Sequence, residues 1–340
     1  MRVLGIETSC DETAVAIVTD ERVIEANIIL SQLDEHSPYG GVVPEIAARA
    51  HLDHIDGLVE RALEETRQHW NDINAIAATC GPGLIGGVMV GMMTAKALAL
   101  ALNKPFLPVN HLEGHALTAR LTDDVQFPYL LLLASGGHTQ IILVEGVGRY
   151  TELGSTIDDA AGEAFDKSAK LLGLGYPGGP LIDTLAQTGD RDLAQHYDLP
   201  RPLKGREGCD FSFAGLKTAV SKWAKDCTTD ENKAALALAL HYAISDVVKD
   251  RLDNALKMVD VPVKTLVVAG GVAANSFLRD SLSDFVHLNG LQFIAPPLSL
   301  CTDNAAMIAW AGLEGYRSGR RGTLDFKARP RWPLSEIEGT

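Results

Sequence analysis

RVLGIETSCDETAVAIVTD, residues 2–20, sets two runs of apolar, largely β-branched side chains on either side of a polar turn. YLLLLASGGHTQIILVEG, residues 129–146, repeats the plan around a turn of small and polar residues. Each stretch predicts a β-hairpin. Two such hairpins, each opening roughly half of the chain, predict a duplicated two-lobe architecture, with one turn from each lobe facing a shared cleft.

Between the hairpins the apolar period changes. Residues 45–66, EIAARAHLDHIDGLVERALEET, place apolar side chains at three- and four-residue steps and predict an amphipathic helix. INAIAATCGPGLIGGVMVGMMTAKALALAL, residues 73–102, reads as strand, glycine turn and small-residue helix; KPFLPVN, residues 104–110, is another short strand. After the second hairpin, DDAAGEAFDKSAKLLGL (158–174) predicts a helix, GYPGGP (175–180) a turn before a further helix, and VKTLVVAGGVAANSFLRDSL (263–282) strand, turn and helix. CTDNAAMIAWAGLEGYRSG (301–319) is a polar turn leading into a helix. Alternation of this kind predicts an α/β protein with a mixed sheet in each lobe. Its ligands are expected beyond the carboxyl ends of the strands, where the turns at 8–13, 81–87, 135–139, 270–275 and 301–304 fall.

Composition narrows the functional classes. At 340 residues the chain exceeds the size at which one core keeps growing, which fits two lobes. No stretch reads as the eighteen or so apolar residues that span a bilayer, so no membrane partner is expected. The chain opens on an apolar strand without a leader pattern, which makes cytoplasm the expected location. Five scattered cysteines with no C-x-x-C pair argue against a disulfide framework or thiolate zinc knuckle. A net charge of −14 disfavours polyanion binding by the whole surface. Two local basic clusters stand out: Arg201, Lys204 and Arg206, and the run at residues 317–332.

Several motifs carry chemistry. GPGLIG, residues 81–86, matches the dinucleotide fingerprint only formally: Pro82 removes an amide donor, and no acidic residue ends a strand about twenty residues on. No G-x-x-x-x-G-K-[ST] occurs, which speaks against a P-loop NTPase. In ASGGHT, Ser135, Gly136 and Gly137 suit close approach of a phosphate. In AGGVAAN, Gly270 and Gly271 admit a flat group against the backbone, and Asn275 can bond a ribose or base. Asp166 falls on a helix and can accept from ribose hydroxyls. Each alone is also an ordinary turn or helical residue; together they favour a nucleotide.

NHLEGH, residues 110–115, puts His111 and His115 one helical turn apart, so both imidazoles share a face and can reach one ion. Spacing alone leaves open a solvated helix start with two polar side chains. Asp303 is a third donor candidate, following the strand-like FIAPPLSLC at a helix start where N-cap duty is its ordinary role. Two imidazoles and one carboxylate would leave coordination positions open, as in a catalytic site. Glu113 lies two residues from His111 and points to the opposite face, unlike the glutamate of H-E-x-x-H, which disfavours a metallopeptidase.

Taken in order, GIETSCDETAVAIV, YGGVVPEIAARAH, NHLEGH, ASGGHTQ, IDDAAGEAFDK, YPGGP, FSFAGLK, AGGVAAN and CTDNAAMIAWAG closely resemble the bacterial TsaD family. These are tRNA adenosine threonylcarbamoyltransferases, formerly described as glycoprotein endopeptidases. The resemblance covers nearly the whole chain, including the tail RPRWPL. It implies the two-lobed fold of actin, Hsp70 and sugar kinases, with lobes at 1–126 plus 321–340 and at 127–320. It implies transfer of a threonylcarbamoyl group from threonylcarbamoyl-AMP to N6 of adenosine 37 in tRNAs reading ANN codons, with release of AMP.

By motif match, His111, His115 and Asp303 correspond to ligands of one divalent metal ion, Fe(II) or Zn(II), in the interlobe cleft. Leu133, Ala134, Ser135, Gly136, Gly137, Asp166, Gly179, Asp183 and Asn275 correspond to the substrate-binding set. The residue before His111 is Asn110, where some relatives carry another histidine. Asp11 and Glu12 are the expected acid/base or tRNA-orienting groups. The implied partners are tRNA, a smaller paralogous subunit forming a heterodimer, a small ATPase subunit and an upstream synthase. Both basic clusters are candidate tRNA contacts. An ATPase or a non-catalytic scaffold of the same fold stays as the alternative.

Overall fold

The computed structural model describes residues 1–39, 41–175 and 177–337. Tyr176 of the expected turn and the last three residues of the expected first lobe lie outside them. The chain divides into two compact units: Met1–Asp124, Gly146–Tyr150 and Thr302–Thr340 form one, and Val125–Glu145 with Thr151–Cys301 the other.

In the first unit β1 (Arg2–Glu7) and β2 (Glu12–Thr19) form the expected antiparallel hairpin, and β3 (Ile24–Ser31) continues it. Val3, Leu4, Ile6 and the run from Ala14 to Val18 are buried, because helices cover both faces of the hairpin. A short α1 (Leu33–His36) precedes α2 (Pro44–Thr66), which starts on a proline at its first turn and buries Ala47, His51, Ile55, Leu58, Val59 and Ala62 along one stripe. Then β4 (Ala75–Gly81) pairs parallel with β1, α3 (Ile85–Leu102) crosses over, β5 (Phe106–Asn110) pairs parallel with β4, and α4 (His111–Thr122) follows at once.

The second unit repeats this order. It runs β6 (Tyr129–Ala134), β7 (Thr139–Gly146), β8 (Arg149–Ser155), α5 (Ala161–Leu171), α6 (Gly178–Ala186), α7 (Arg191–Ala194), α8 (Ala214–Ala224), α9 (Asp230–Met258), β9 (Thr265–Ala269), α10 (Ser276–Leu288) and β10 (Gln292–Ile294). The sheets are ordered β3-β2-β1-β4-β5 and, read the same way, β8-β7-β6-β9-β10. The duplication read from the two hairpins therefore extends to all five strands of each sheet.

Helix α11 (Ala305–Arg317) corrects the expected division at residue 320. It packs on β1, β2 and α4 of the first unit, not on the second. The reason is close packing: a Cβ on Gly5 would lie 2.5 Å from the Ala305 carbonyl oxygen and 2.7 Å from the Ala309 nitrogen. No linear signal marks a chain returning to its first sheet after the second is complete.

Helix α3 corrects the membrane reading. Its 18 residues have a mean hydropathy of 1.7, long and apolar enough by length and composition to cross a bilayer. In the fold it packs against β4 and α2, with Gly87 and Gly91 set where a Cβ would strike Thr8. Its other face leaves Ile85, Met89, Met93 and Leu100 exposed. Two smaller differences have local causes. FIAPPLSLC is a strand only to Ile294, because Pro296 and Pro297 cannot donate to a ladder. In GYPGGP, Gly178, Gly179 and Pro180 already form the first turn of α6.

Candidate active site

Asn110 starts the first part of the site. Its Oδ1 accepts from the Leu112 and Glu113 amides at 2.9 and 3.4 Å, capping α4, and its Nδ2 donates to the Trp332 carbonyl at 2.8 Å. His111 and His115 then lie on one face, ring centroids 4.8 Å apart and nearly perpendicular. Asp303 Oδ1 stands 3.4 Å from His111 Nε2 and 3.2 Å from His115 Nε2. Asp303 is not the N-cap of α11, as its position suggested. Asn304 caps the helix by accepting from the Met307 amide, which leaves the preceding carboxylate to face the imidazoles.

Glu7 stands behind His111. The ring Nδ1–H donates to Glu7 Oε2 at 3.0 Å, with Ser9 Oγ at 3.1 Å, while Glu7 also accepts from the Thr79 hydroxyl and the Ser9 amide. That bond through Nδ1 turns Nε2 to the side of Asp303, where it can bind an ion in place of a proton, the carboxylate–histidine arrangement that orients metal ligands. Burial disfavours an imidazolium here, yet the Asp303 and Glu7 carboxylates outweigh it and raise the His111 pKa well above its ordinary value. Asp303 is correspondingly held well below the usual carboxylate range: burial opposes this, and His111 then His115 outweigh it. The cluster thus calls for a cation.

A metal ion fits it. The three donor atoms lie within 4.8 Å of one another. Two ligands about 2.1 Å from one ion at a tetrahedral angle are roughly 3.4 Å apart, matching the separations from Asp303. Glu113 takes no part, as its helix position predicts. It is buried, accepts from the Tyr150 hydroxyl at 2.7 Å and pairs with Arg320 at 2.8 Å.

The turn after β1 carries Asp11 and Glu12. Burial, then the charges of Asp303 and Asp11, push the Glu12 carboxyl up to about 9, so at neutral pH it holds its proton. Beneath the turn His51 is buried. Its Nε2 lies 3.2 Å from the Cys10 carbonyl, and its Nδ1 lies 2.7 Å from Thr13 Oγ1 and 3.1 Å from Gln32 Nε2. The cysteines are free, and burial followed by neighbouring carboxylates raises the Cys10 thiol far above its ordinary value.

The second unit gathers the remaining predicted residues. Leu133 and Ala134 end β6, and Ser135 closes the following turn by accepting from the His138 amide at 3.1 Å. A Cβ on Gly136 or Gly137 would meet no atom within 4 Å, so protein packing does not demand these glycines and the space stays open to a ligand. Gly270 differs: its φ is +89° and a Cβ would lie 2.4 Å from the Ala134 carbonyl oxygen, so it is needed for strand packing. Asp166 sits on α5 and accepts from the Gly178 and Gly179 amides, both at 2.9 Å, tying α5 to the start of α6. Burial raises its pKa against those two bonds.

One turn along α6, Asp183 Oδ2 accepts from the Ser276 amide and hydroxyl at 3.1 and 3.0 Å. Asn275 caps α10, its Oδ1 accepting from the Leu278 amide at 2.9 Å. The structure therefore collects His111, His115 and Asp303 with Asp11 and Glu12 in one unit, and Ser135, Asp166, Gly179, Asp183 and Asn275 in the other. Sequence reasoning missed Glu7 and His241, the latter 2.9 Å from Asn275 Nδ2.

Two five-stranded sheets of identical strand order, with helices packed on them, define an actin-like ATPase fold. Full-length HypF in the phosphate- and nucleotide-bound form is similar, with a TM-score of 0.60 at 12% identity over 92% of this chain and 54% of that one. So is the activator of 2-hydroxyisocaproyl-CoA dehydratase from Clostridium difficile with bound ADPNP, with a TM-score of 0.55 at 15% identity over 94% and 97%. At sequence level residues 23–310 match the TsaD family, tRNA N6-adenosine threonylcarbamoyltransferase. Transferases of that description from Paramagnetospirillum magneticum and Brucella canis are 58% and 56% identical, covering 98% and 99% of this chain and 97% and 96% of theirs. The chain belongs to the tRNA N6-adenosine threonylcarbamoyltransferase family and is a tRNA-modifying transferase.

Proposed function

We propose that the chain transfers the threonylcarbamoyl group of threonylcarbamoyl-AMP to N6 of adenosine 37 in tRNAs reading ANN codons, in the cytoplasm. The donor is a mixed anhydride. N6 attacks the carbamoyl carbon, the bond to the phosphate oxygen breaks, AMP leaves with the electron pair, and N6 gives up a proton. Because AMP leaves readily, the protein needs to bind, orient and move one proton, and no side-chain nucleophile is required.

The observation that carries this reading is the His111–His115–Asp303 cluster with Glu7 bonded behind His111. His111, His115 and Asp303 would hold one divalent ion, Fe(II) or Zn(II), which supplies Lewis-acid stabilisation of charge on donor oxygens. Ser135, Gly136 and Gly137 offer an open turn to the donor phosphate, while Asp166, Gly179, Asp183 and Asn275 hold its nucleoside. Asp11 is the candidate acceptor for the N6 proton. Glu12, whose carboxyl is pushed up by burial, is the second acid/base candidate beside it.

A smaller paralogous subunit is the proposed partner for the uncovered face of α3, with a small ATPase subunit joining the pair and an upstream synthase supplying the adenylate. The test is nucleoside mass spectrometry of tRNA from cells depleted of the chain and complemented with wild type or His111→Ala. Loss of threonylcarbamoyladenosine, restored by wild type alone, is expected. Persistence of the modification without the chain overturns the proposal.

A further inference from the structure

We infer that His241 is a positioning residue which, as a neutral imidazole with its proton on Nδ1, fixes the Asn275 amide beside Asp183 at the pocket of the donor adenylate; this rests on the donor-site reading above.

His241 lies fully buried in the middle of α9, its ring packed against Phe165 and Phe277 at centroid distances of 4.9 and 5.6 Å. Its Nδ1 is 2.8 Å from the Ala237 carbonyl, which can only accept, so Nδ1 carries a proton. The state of Nε2 follows from Asn275. The Asn275 carbonyl oxygen is committed to the Leu278 amide at the start of α10, which turns its NH₂ group toward His241 Nε2 at 2.9 Å. A donor there requires a lone pair on Nε2. The amide cap of one helix thereby sets the tautomer of a histidine on another.

Asp183 shows the consequence. Its Oδ2 takes both bonds from Ser276, whereas its Oδ1 is buried without a hydrogen-bond partner, 3.4 Å from His241 Nε2. With a lone pair on each side, no hydrogen bond can join those two atoms. That oxygen is closed to solvent and faces the His241 ring, so a second proton on the ring would meet its charge. Nε2–H would then face the Asn275 amide protons and turn toward Asp183 Oδ1, disturbing the cap and drawing the carboxylate toward the ring. The neutral Nδ1–H form keeps both Asn275 and Asp183 in place.

The test uses AMP, the leaving group, titrated calorimetrically into the metal-loaded full chain. His241→Phe keeps a ring but removes the acceptor, and is expected to weaken AMP binding about tenfold. His241→Gln restores an acceptor toward Asn275 and should bring affinity back to within about threefold of wild type. Asp183→Ala serves as the control for the pocket. If wild type binds AMP and Asp183→Ala weakens it while His241→Phe does not, the inference falls and the donor site stands. If wild type does not bind AMP, the donor-site reading falls and takes the role of His241 with it. Should His241→Phe fail to fold, long-range nitrogen–proton NMR of the wild-type imidazoles decides. A His241 with its proton on Nε2, or on both nitrogens, overturns the assignment; the Nδ1–H form supports it.

Discussion

At the residue scale the site turns on groups that hold other groups. Glu7 reads as one polar residue in a strand, and its partner His111 lies 104 positions on. Once paired, it fixes which nitrogen of His111 faces Asp303. Glu7→Gln keeps the shape and removes the charge. It should lower affinity for a divalent ion by about tenfold or more, read by competition with a chelating dye. Unchanged affinity would remove Glu7 from the orienting role. Glu12 is legible as a turn carboxylate, but its protonation is not, since that comes from burial beside Asp303 and Asp11. Glu12→Gln should cut single-turnover transfer while leaving AMP affinity intact, and full turnover would sink its part in the chemistry.

At the element scale, helix ends and helix faces place these residues. The NHLEGH spacing predicted one face for His111 and His115, and α4 delivers it because Asn110 caps the helix one residue before. The start of α8 is secured from farther away. Asp158 accepts from the Phe213 and Ala214 amides at 2.8 and 3.2 Å and from the Ser212 hydroxyl at 2.5 Å. Burial opposes its ionisation, yet those bonds outweigh it and hold the carboxyl below its usual value. A depressed folded pKa contributes stability above the unfolded value near 4, and that contribution is lost as pH falls through the folded pKa. Asp158 is exposed, so solvent screens it, and Asp158→Ala should cost only about 0.5–1 kcal/mol at pH 7 and progressively less below about pH 4, measured by denaturant unfolding across pH. A penalty that does not change with pH would contradict the role of the charge. On α3, Ile85, Met89 and Met93 recur every four residues on the exposed face. Introducing Met89→Glu with Met93→Glu should abolish co-purification of the paralogous subunit while leaving the chain folded by circular dichroism. Retention of the complex would move the docking surface elsewhere.

At the scale of the whole molecule the question is how a chain of net charge −14 meets a polyanion. Many of its basic residues are already committed: Arg201 and Lys204 share Asp246, Arg320 pairs with Glu113, and Arg329 with Glu336. Arg321 and Arg331 make no ion pair among the described residues, and Arg321 lies over the Tyr316 ring at 3.9 Å. Charge reversal at Arg321 and Arg331 together should weaken tRNA binding and flatten its dependence on salt by about two phosphate contacts. Binding unchanged across a salt titration would clear the tail of this role and leave the Arg201 cluster as the candidate.

The sequence by itself determined the local grammar of this protein: two hairpins from their apolar runs, helices from their three- and four-residue period, the His pair from its spacing, and family membership from nine ordered motifs. These signals are short in range, so a linear reading reaches them. The tertiary structure decided what depends on distant partners. It returned α11 to the first unit because Gly5 admits no side chain against it. It released Asp303 from capping because Asn304 takes that duty, and it left α3, apolar enough for a bilayer, half-covered on a sheet. It also brought Glu7 to His111 and His241 to Asn275. A carboxylate or an imidazole shows its residue type in sequence. Its charge, tautomer and aim are set by which groups, tens to hundreds of residues away, share its buried space.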